Sequence, residues 1–264
     1  MNNTQTKSKK KSPSFIVPKD IDVLVCSAGG VGTSFLINHI NKYLNTNHVG
    51  DKDIFKHISF PPISYNSEIR YIYIYGNPVD SAISLFGRNY QYNHSRKLIN
   101  LGSSGRFIGK EVTLERYAAE GTDMFYFKEH FNSWLKLSKF YPTLFIRYEK
   151  IWDNLETIYG FLGIPEEEIG LFPERRKRRS NFSALDKLTQ ENLLKMYGEF
   201  SESLDQYGDC FTINEKRKSY IPGILFSESF YYTAKRAIGR KIYDISPDLF
   251  TGTEKVLNHL SKFK

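Results

Sequence analysis

Residues 23–40 read VLVCSAGGVGTSFLINHI, and they restrict the possible folds more than any other part of the chain. The stretch opens on an apolar run that ends in a glycine cluster, as a buried strand feeding a tight loop does. From Thr33 onward, Phe35, Leu36, Ile40 and Leu44 recur at helical spacing. Strand, glycine turn and helix in that order expose backbone N–H groups at a helix amino end, where the dipole also favours an anion. Glycines let that backbone close around phosphate oxygens without Cβ collisions. Gly29, Gly30, Val31, Gly32, Thr33, Ser34 and Phe35 are therefore the first candidate binding residues, the two hydroxyls adding donors. A Walker loop would read GxxxxGK[ST], but SAGGVGTS has Gly-Thr-Ser where Gly-Lys-Ser/Thr belongs. That difference counts against ordinary ATPase or GTPase chemistry.

Further strands alternate with helices. RYIYIYGNPVD (70–80) is β-branched and aromatic until Gly76 and Pro78 break it, and Pro78 with Asp80 suits the first turn of a helix running through VDSAISLFGRNY. IFKHISFPPIS (54–64) reads as a second short strand, residues 95–121 as a mobile connection or lid, and 124–140 as an amphipathic helix. TLFIRY (143–148) is a buried strand, and IWDNLETIYGFLGI a helix stopped by Gly163 and Pro165. A late helix, LTQENLLKMYGEFSESLDQYG, takes Thr189 as its N-cap. The fold class expected is α/β, three-layered, with a mostly parallel central sheet and helices on both faces.

At 264 residues, 40% hydrophobic and 15% aromatic, the chain can bury a substantial core. A formal charge of +8 favours anionic partners. Cys26 and Cys210 make no disulfide framework and read as free thiols of a reducing compartment. No apolar run reaches membrane-spanning length, and the polar, lysine-rich start lacks the apolar region of a secretory signal. A cytoplasmic protein is expected, with a basic arm at 1–14, a main domain at 15–213 and a basic, aromatic-rich extension at 214–264 packed on it. A peripheral membrane contact through that extension stays open.

Four elements in order resemble the sulfotransferase family, whose P-loop-like fold binds 3′-phosphoadenosine 5′-phosphosulfate (PAPS). The loop GGVGTSFL (29–36) is similar to the family's 5′-phosphosulfate loop at Gly32, Thr33 and Leu36, and conservatively at Ser34 and Phe35. GNPVDSAIS (76–84) resembles the 3′-phosphate element at Asn77, Pro78, Asp80 and Ser84. RYEKIWDNLETIYGFLGI (147–164) is similar to the third, which implies that Tyr148 lies near the adenine; HFNSWLKL resembles the family helix before the third strand. ERRKRRSN (174–181) sits where the family closes a basic loop on the 3′-phosphate, which brings in Arg176, Lys177 and Arg178.

Two family cations are missing. The loop lysine falls on Gly30 and the 3′-phosphate arginine on Gly76, with Arg88, one helical turn after Ser84, a candidate to compensate. The resemblance also implies a catalytic base: His57, in FKHISFPP, stands where several relatives carry a histidine, and Glu68 is the reserve. His94 is assigned neither role, and no His/Cys/Asp cluster has metal spacing. The resemblance thus implies transfer of a sulfuryl group from PAPS to a hydroxyl of a carbohydrate or other small molecule, with no metal required. Two rivals stay open: a nucleotide-binding protein of this fold without transfer activity, and a phosphotransferase with a degenerate loop. Nucleic-acid binding through the basic segments is disfavoured, and the oligomeric state is not legible.

Overall fold

The computed structural model of the protein describes residues 20–47, 55–59, 68–100, 106–138, 143–175 and 181–213. Its elements run β1 (Val23–Ser27), α1 (Thr33–Ile40), β2 (Arg70–Tyr75), α2 (Pro78–Phe86), α3 (Gln91–Asn100), α4 (Leu114–Glu120), α5 (Phe127–Leu137), β3 (Thr143–Arg147), α6 (Leu155–Leu162), α7 (Lys187–Leu204) and β4 (Cys210–Thr212). The strands form one sheet in the order β1-β2-β3-β4. The first three are parallel and β4 closes one edge antiparallel to β3. The basic arm at 1–14 and the extension at 214–264 lie outside the described residues.

Alternation along the strands builds the three layers, because successive side chains point to opposite faces. Leu24, Cys26, Tyr71, Tyr73, Tyr75 and Phe145 pack into a large cluster with side chains of α2, α4, α5 and α7. Val23, Val25, Ile72, Ile74, Leu144 and Ile146 pack on the other face with α1 and α6. Both faces are thus covered, as a parallel sheet requires.

Local chemistry sets the element ends. Asn77 caps α2, its side chain accepting from the amides of Val79 and Asp80 at 2.9 and 3.3 Å, with Pro78 in the first turn. Gly163 ends α6 in the left-handed conformation. Asp186, not Thr189, caps α7; its carboxylate accepts from the Thr189 amide at 3.0 Å, and the Thr189 side chain is buried.

Three further expectations are corrected. Residues 55–57 form a 3-10 turn rather than a strand, because Phe55 and Ile58 are spaced to drop into the core together. The α2 helix stops at Phe86 instead of continuing to Tyr90. Residues 95–121 are not one loose connection, since α3 and α4 occupy much of that span and Ser95, Leu98, Ile108, Leu114 and Tyr117 are buried. Burial of an apolar stripe outweighs the weak helix propensity of glycine- and serine-rich surroundings.

Candidate functional site

The site forms at the carboxyl edge of the sheet, where β1 and β2 end side by side and α1 and α2 begin, the usual place for ligands in open parallel sheets. Gly29, Gly30 and Gly32 all have positive φ, and a different neighbour presses on each. A Cβ at Gly29 would lie 2.2 Å from Nε2 of His94, and one at Gly32 would lie 2.4 Å from the Tyr148 ring. At Gly30 the obstacle is backbone: Cα and O of Ser81 would both be 2.8 Å away. Beneath the loop, the Ser27 hydroxyl accepts from the Gly29 amide at 3.1 Å and shares a 2.5 Å hydrogen bond with the Thr33 hydroxyl. The amino end of α1 has no side-chain cap, so its first N–H groups face the loop without a side-chain acceptor.

Position 30 also has no room for the lysine that relatives carry in this loop. Lysine at φ +76°, against the backbone of α2, is strained by about 1–2 kcal/mol before any clash is counted. Gly30→Lys is expected to lower the melting temperature by roughly 4–8 °C, for a total near 2 kcal/mol in a domain of this size. Thermal unfolding followed by circular dichroism checks it; an unchanged transition would mean that the loop backbone yields.

The 55–59 turn brings a lysine and a histidine to the loop. Its anchor is Ile58, buried, whose carbonyl accepts from Trp134 Nε1 at 2.9 Å and from the Cys26 thiol at 3.4 Å. Lys56 Nζ donates to the Ser34 hydroxyl at 3.3 Å. His57 Nδ1 donates to the Ser27 carbonyl at 2.9 Å. A carbonyl only accepts, so Nδ1 carries the hydrogen and Nε2 holds the lone pair. His130 Nε2 donates to the His57 carbonyl at 3.4 Å while its Nδ1 accepts from Tyr73 at 2.9 Å. His94 Nε2 donates to the Ala28 carbonyl at 2.7 Å, and its ring stands edge-on to that of His57 with centroids 4.8 Å apart.

Burial keeps these three imidazoles neutral. It holds His57 well below the usual range, with His94 and Lys97 pushing the same way, and it lowers His94 to about 4 and His130 to about 3. Among the described residues that line the site, the side chains that keep a formal charge are Lys56, Arg88 and Lys97. Loop, 55–57 turn, the end of α2 and α3 enclose a cavity of about 500 Å³, with Lys56, Arg88 and Lys97 in its wall. That size suits a small-molecule ligand.

The sequence model of the sulfotransferase domain matches residues 40–203, more than half of the chain. The chain belongs to the sulfotransferase family. No curated protein and no solved structure matches it. The glycine loop lies ahead of the range that the sulfotransferase model covers.

Gly29, Gly30, Gly32, Thr33, Ser34, Phe35, His57 and Arg88 line one cavity. Val31 is not among the residues that line it, its side chain being buried in the core. Tyr148 packs on Gly32 and, edge-on, on Trp152, and Ser84 does not line the cavity; the Ser84 carbonyl accepts from Arg88 Nε at 2.9 Å. Arg176, Lys177 and Arg178 lie outside the described residues, whereas Arg175 stacks on Trp152 at 5.7 Å. Glu68 is displaced from the reserve role: it is exposed and precedes β2, at the sheet edge opposite the loop.

Sequence reasoning missed Lys56, His94 and Lys97. Only Lys56, next to the histidine already singled out, carried a local signal; the other two arrive on α3 from far along the chain. Among the described residues no group of three or more His, Cys, Asp or Glu is placed to hold a metal, and no helix is long and apolar enough to cross a membrane.

Proposed function

We propose that this sulfotransferase uses PAPS as donor and moves its sulfuryl group to a hydroxyl of a carbohydrate or another small-molecule acceptor, in the cytoplasm and without a metal. The reading rests chiefly on one observation: a loop whose glycine Cβ positions are already filled by neighbours, and a histidine with its lone pair on Nε2, share one cavity. The uncapped α1 terminus and the Lys56 ammonium fit the charge of a phosphosulfate.

Bound there, the donor supplies a sulfuryl group on a mixed anhydride, transferred in line much as a phosphoryl group is. The loop amides with Thr33 and Ser34 hold its 5′ end. Lys56 brings to that end the positive charge that position 30 cannot carry, so the cation comes from the neighbouring turn rather than from the loop. His57 Nε2 accepts the proton of the acceptor hydroxyl. On the 3′ side we assign Ser84, Arg88, Arg176, Lys177 and Arg178, and we place Tyr148 beside the adenine.

Calorimetric titration with 3′,5′-adenosine bisphosphate, alongside ATP with magnesium, tests the reading. Selective binding of the bisphosphate is expected, weakened by about 10- to 100-fold in Lys56→Gln, the value of a charge-assisted hydrogen bond. Selective ATP binding would instead favour a phosphotransferase. The second reading, a nucleotide-binding protein without turnover, draws on Gly76, where the nearest neighbours of an added Cβ are Val31 and the Glu149 carboxylate. It requires bisphosphate binding with no product from any acceptor.

A further inference from the structure

We propose that His94 is a positioning residue of this site: wedged between the glycine loop and His57, it fixes the loop and the base relative to each other. The proposal rests on the sulfotransferase reading, in which that loop holds the donor and His57 takes the acceptor's proton.

Two successive carbonyls at the start of the loop are each held by a histidine. Ser27 accepts from His57 Nδ1 at 2.9 Å, and Ala28 accepts from His94 Nε2 at 2.7 Å. The two rings meet edge to face with centroids 4.8 Å apart, and both residues line the cavity. Loop, base and His94 therefore touch one another in a closed set of three contacts. His94 comes from α3, so a third element ties the loop after β1 to the turn at 55–57.

The fit against the loop is close. A Cβ at Gly29 would lie 2.2 Å from Nε2 and 2.3 Å from Cε1 of His94, so the glycine leaves a seat that the imidazole fills. The ring is buried, with Phe125 of the core 6.0 Å away between centroids. One peptide unit is then held at both its atoms: the Ala28 oxygen by His94, and the Gly29 nitrogen by the Ser27 hydroxyl at 3.1 Å. A loop fixed in this way presents its amides to an anion without an ordering cost at binding.

The same ring shields the base. The titratable groups that face His57 are His94 and Lys97 from α3, His130 from α5 and Lys56 beside it in the turn. The Cys26 thiol and the Tyr73 hydroxyl, from β1 and β2, stay protonated through burial. His94 supplies the ring that stands against His57, and exclusion of water is the main cause of the low basicity there.

Two variants separate the two contacts. His94→Gln puts an amide N–H in the place of Nε2–H and removes the ring, whereas His94→Phe keeps a ring and removes the donor. The full chain is titrated with 3′,5′-adenosine bisphosphate, and the His57 imidazole is followed by NMR as the pH is lowered from neutral. His94→Gln is expected to bind the bisphosphate as wild type does but to admit water to His57, whose titration midpoint rises toward about 6.5. His94→Phe is expected to keep the wild-type titration of His57 and to weaken the bisphosphate about 2- to 10-fold, the value of a neutral hydrogen bond. An unchanged His57 midpoint in His94→Gln, or wild-type affinity in His94→Phe, overturns the proposal; so do equal effects of both variants on both readings, which mark general disruption. Each variant tests its own contact, so one that fails to fold leaves the other decisive. Failure of the wild-type protein to bind the bisphosphate is a different result: it removes the sulfotransferase reading, and this inference with it.

Discussion

His57→Asn is expected to lower kcat by about 10²–10⁴-fold, the range for loss of a positioned general base. Asparagine is the informative replacement because its amide N–H reproduces the donor that His57 Nδ1 presents to the Ser27 carbonyl at 2.9 Å. The turn should keep its place while the basic Nε2 disappears. Single-turnover sulfuryl transfer, with circular dichroism as the folding control, makes the measurement; a rate within threefold of wild type would remove His57 from the mechanism. The pH profile adds a second check. An ordinary imidazole base loses half its rate near pH 6.5. Burial and His94 hold His57 well below that value, so the wild-type rate should stay flat through pH 6.5 and on downward.

The same burial makes the fold sensitive to acid. In the unfolded chain each imidazole takes a proton near pH 6.5, whereas His94 in the folded protein resists until about pH 4, His130 until about pH 3, and His57 is depressed as well. A depressed folded-state value means stability that is present above pH 6.5 and lost as the pH falls toward those values. One group opposes this. Burial raises the Asp123 carboxyl to about 6, in spite of hydrogen bonds from Tyr197 and three backbone amides, so Asp123 restores stability between about pH 6 and 3.8. Three histidines against one carboxyl leave a net loss of roughly two protons, or about 2.7 kcal/mol per pH unit below pH 5.5. Against a total of about 5–15 kcal/mol, that slope removes a large share of the stability by about pH 4. Denaturant titrations at several pH values check it, and His130→Gln should reduce the slope by one proton. An unchanged slope would show that His130 is protonated in the folded state.

Much of the architecture is legible in the chain itself because it depends on near neighbours. The alternation in RYIYIY specifies a strand with a tyrosine face and an isoleucine face, and Asn77-Pro78 and Gly163 mark helix ends through bonds that span at most a few residues. The glycine loop was legible for the same reason, as a short pattern with its own chemistry, whereas His57 was singled out by the resemblance of FKHISFPP to a stretch that carries a histidine in several relatives. Thr189 shows the limit even there: it and Asp186 are both good caps, and burial of the Thr189 side chain decides between them.

Which distant groups meet is settled by the packing of the whole domain. His94 closes on Gly29 although 65 positions separate them, and Ser81 fills the space beside Gly30 because parallel β1 and β2 end side by side and send α2 past the loop. Glycine in the sequence says that a side chain is absent; the packed structure says why none can be there. Lys56 and Lys97 carry no pattern of their own, since a surface lysine and a cavity lysine are spelled alike. The amino-acid sequence alone was enough for β1, β2, β3 and the glycine loop between β1 and α1. The positive charge facing that loop was decided by the sheet order, which brings the 55–57 turn and α3 to the same carboxyl edge.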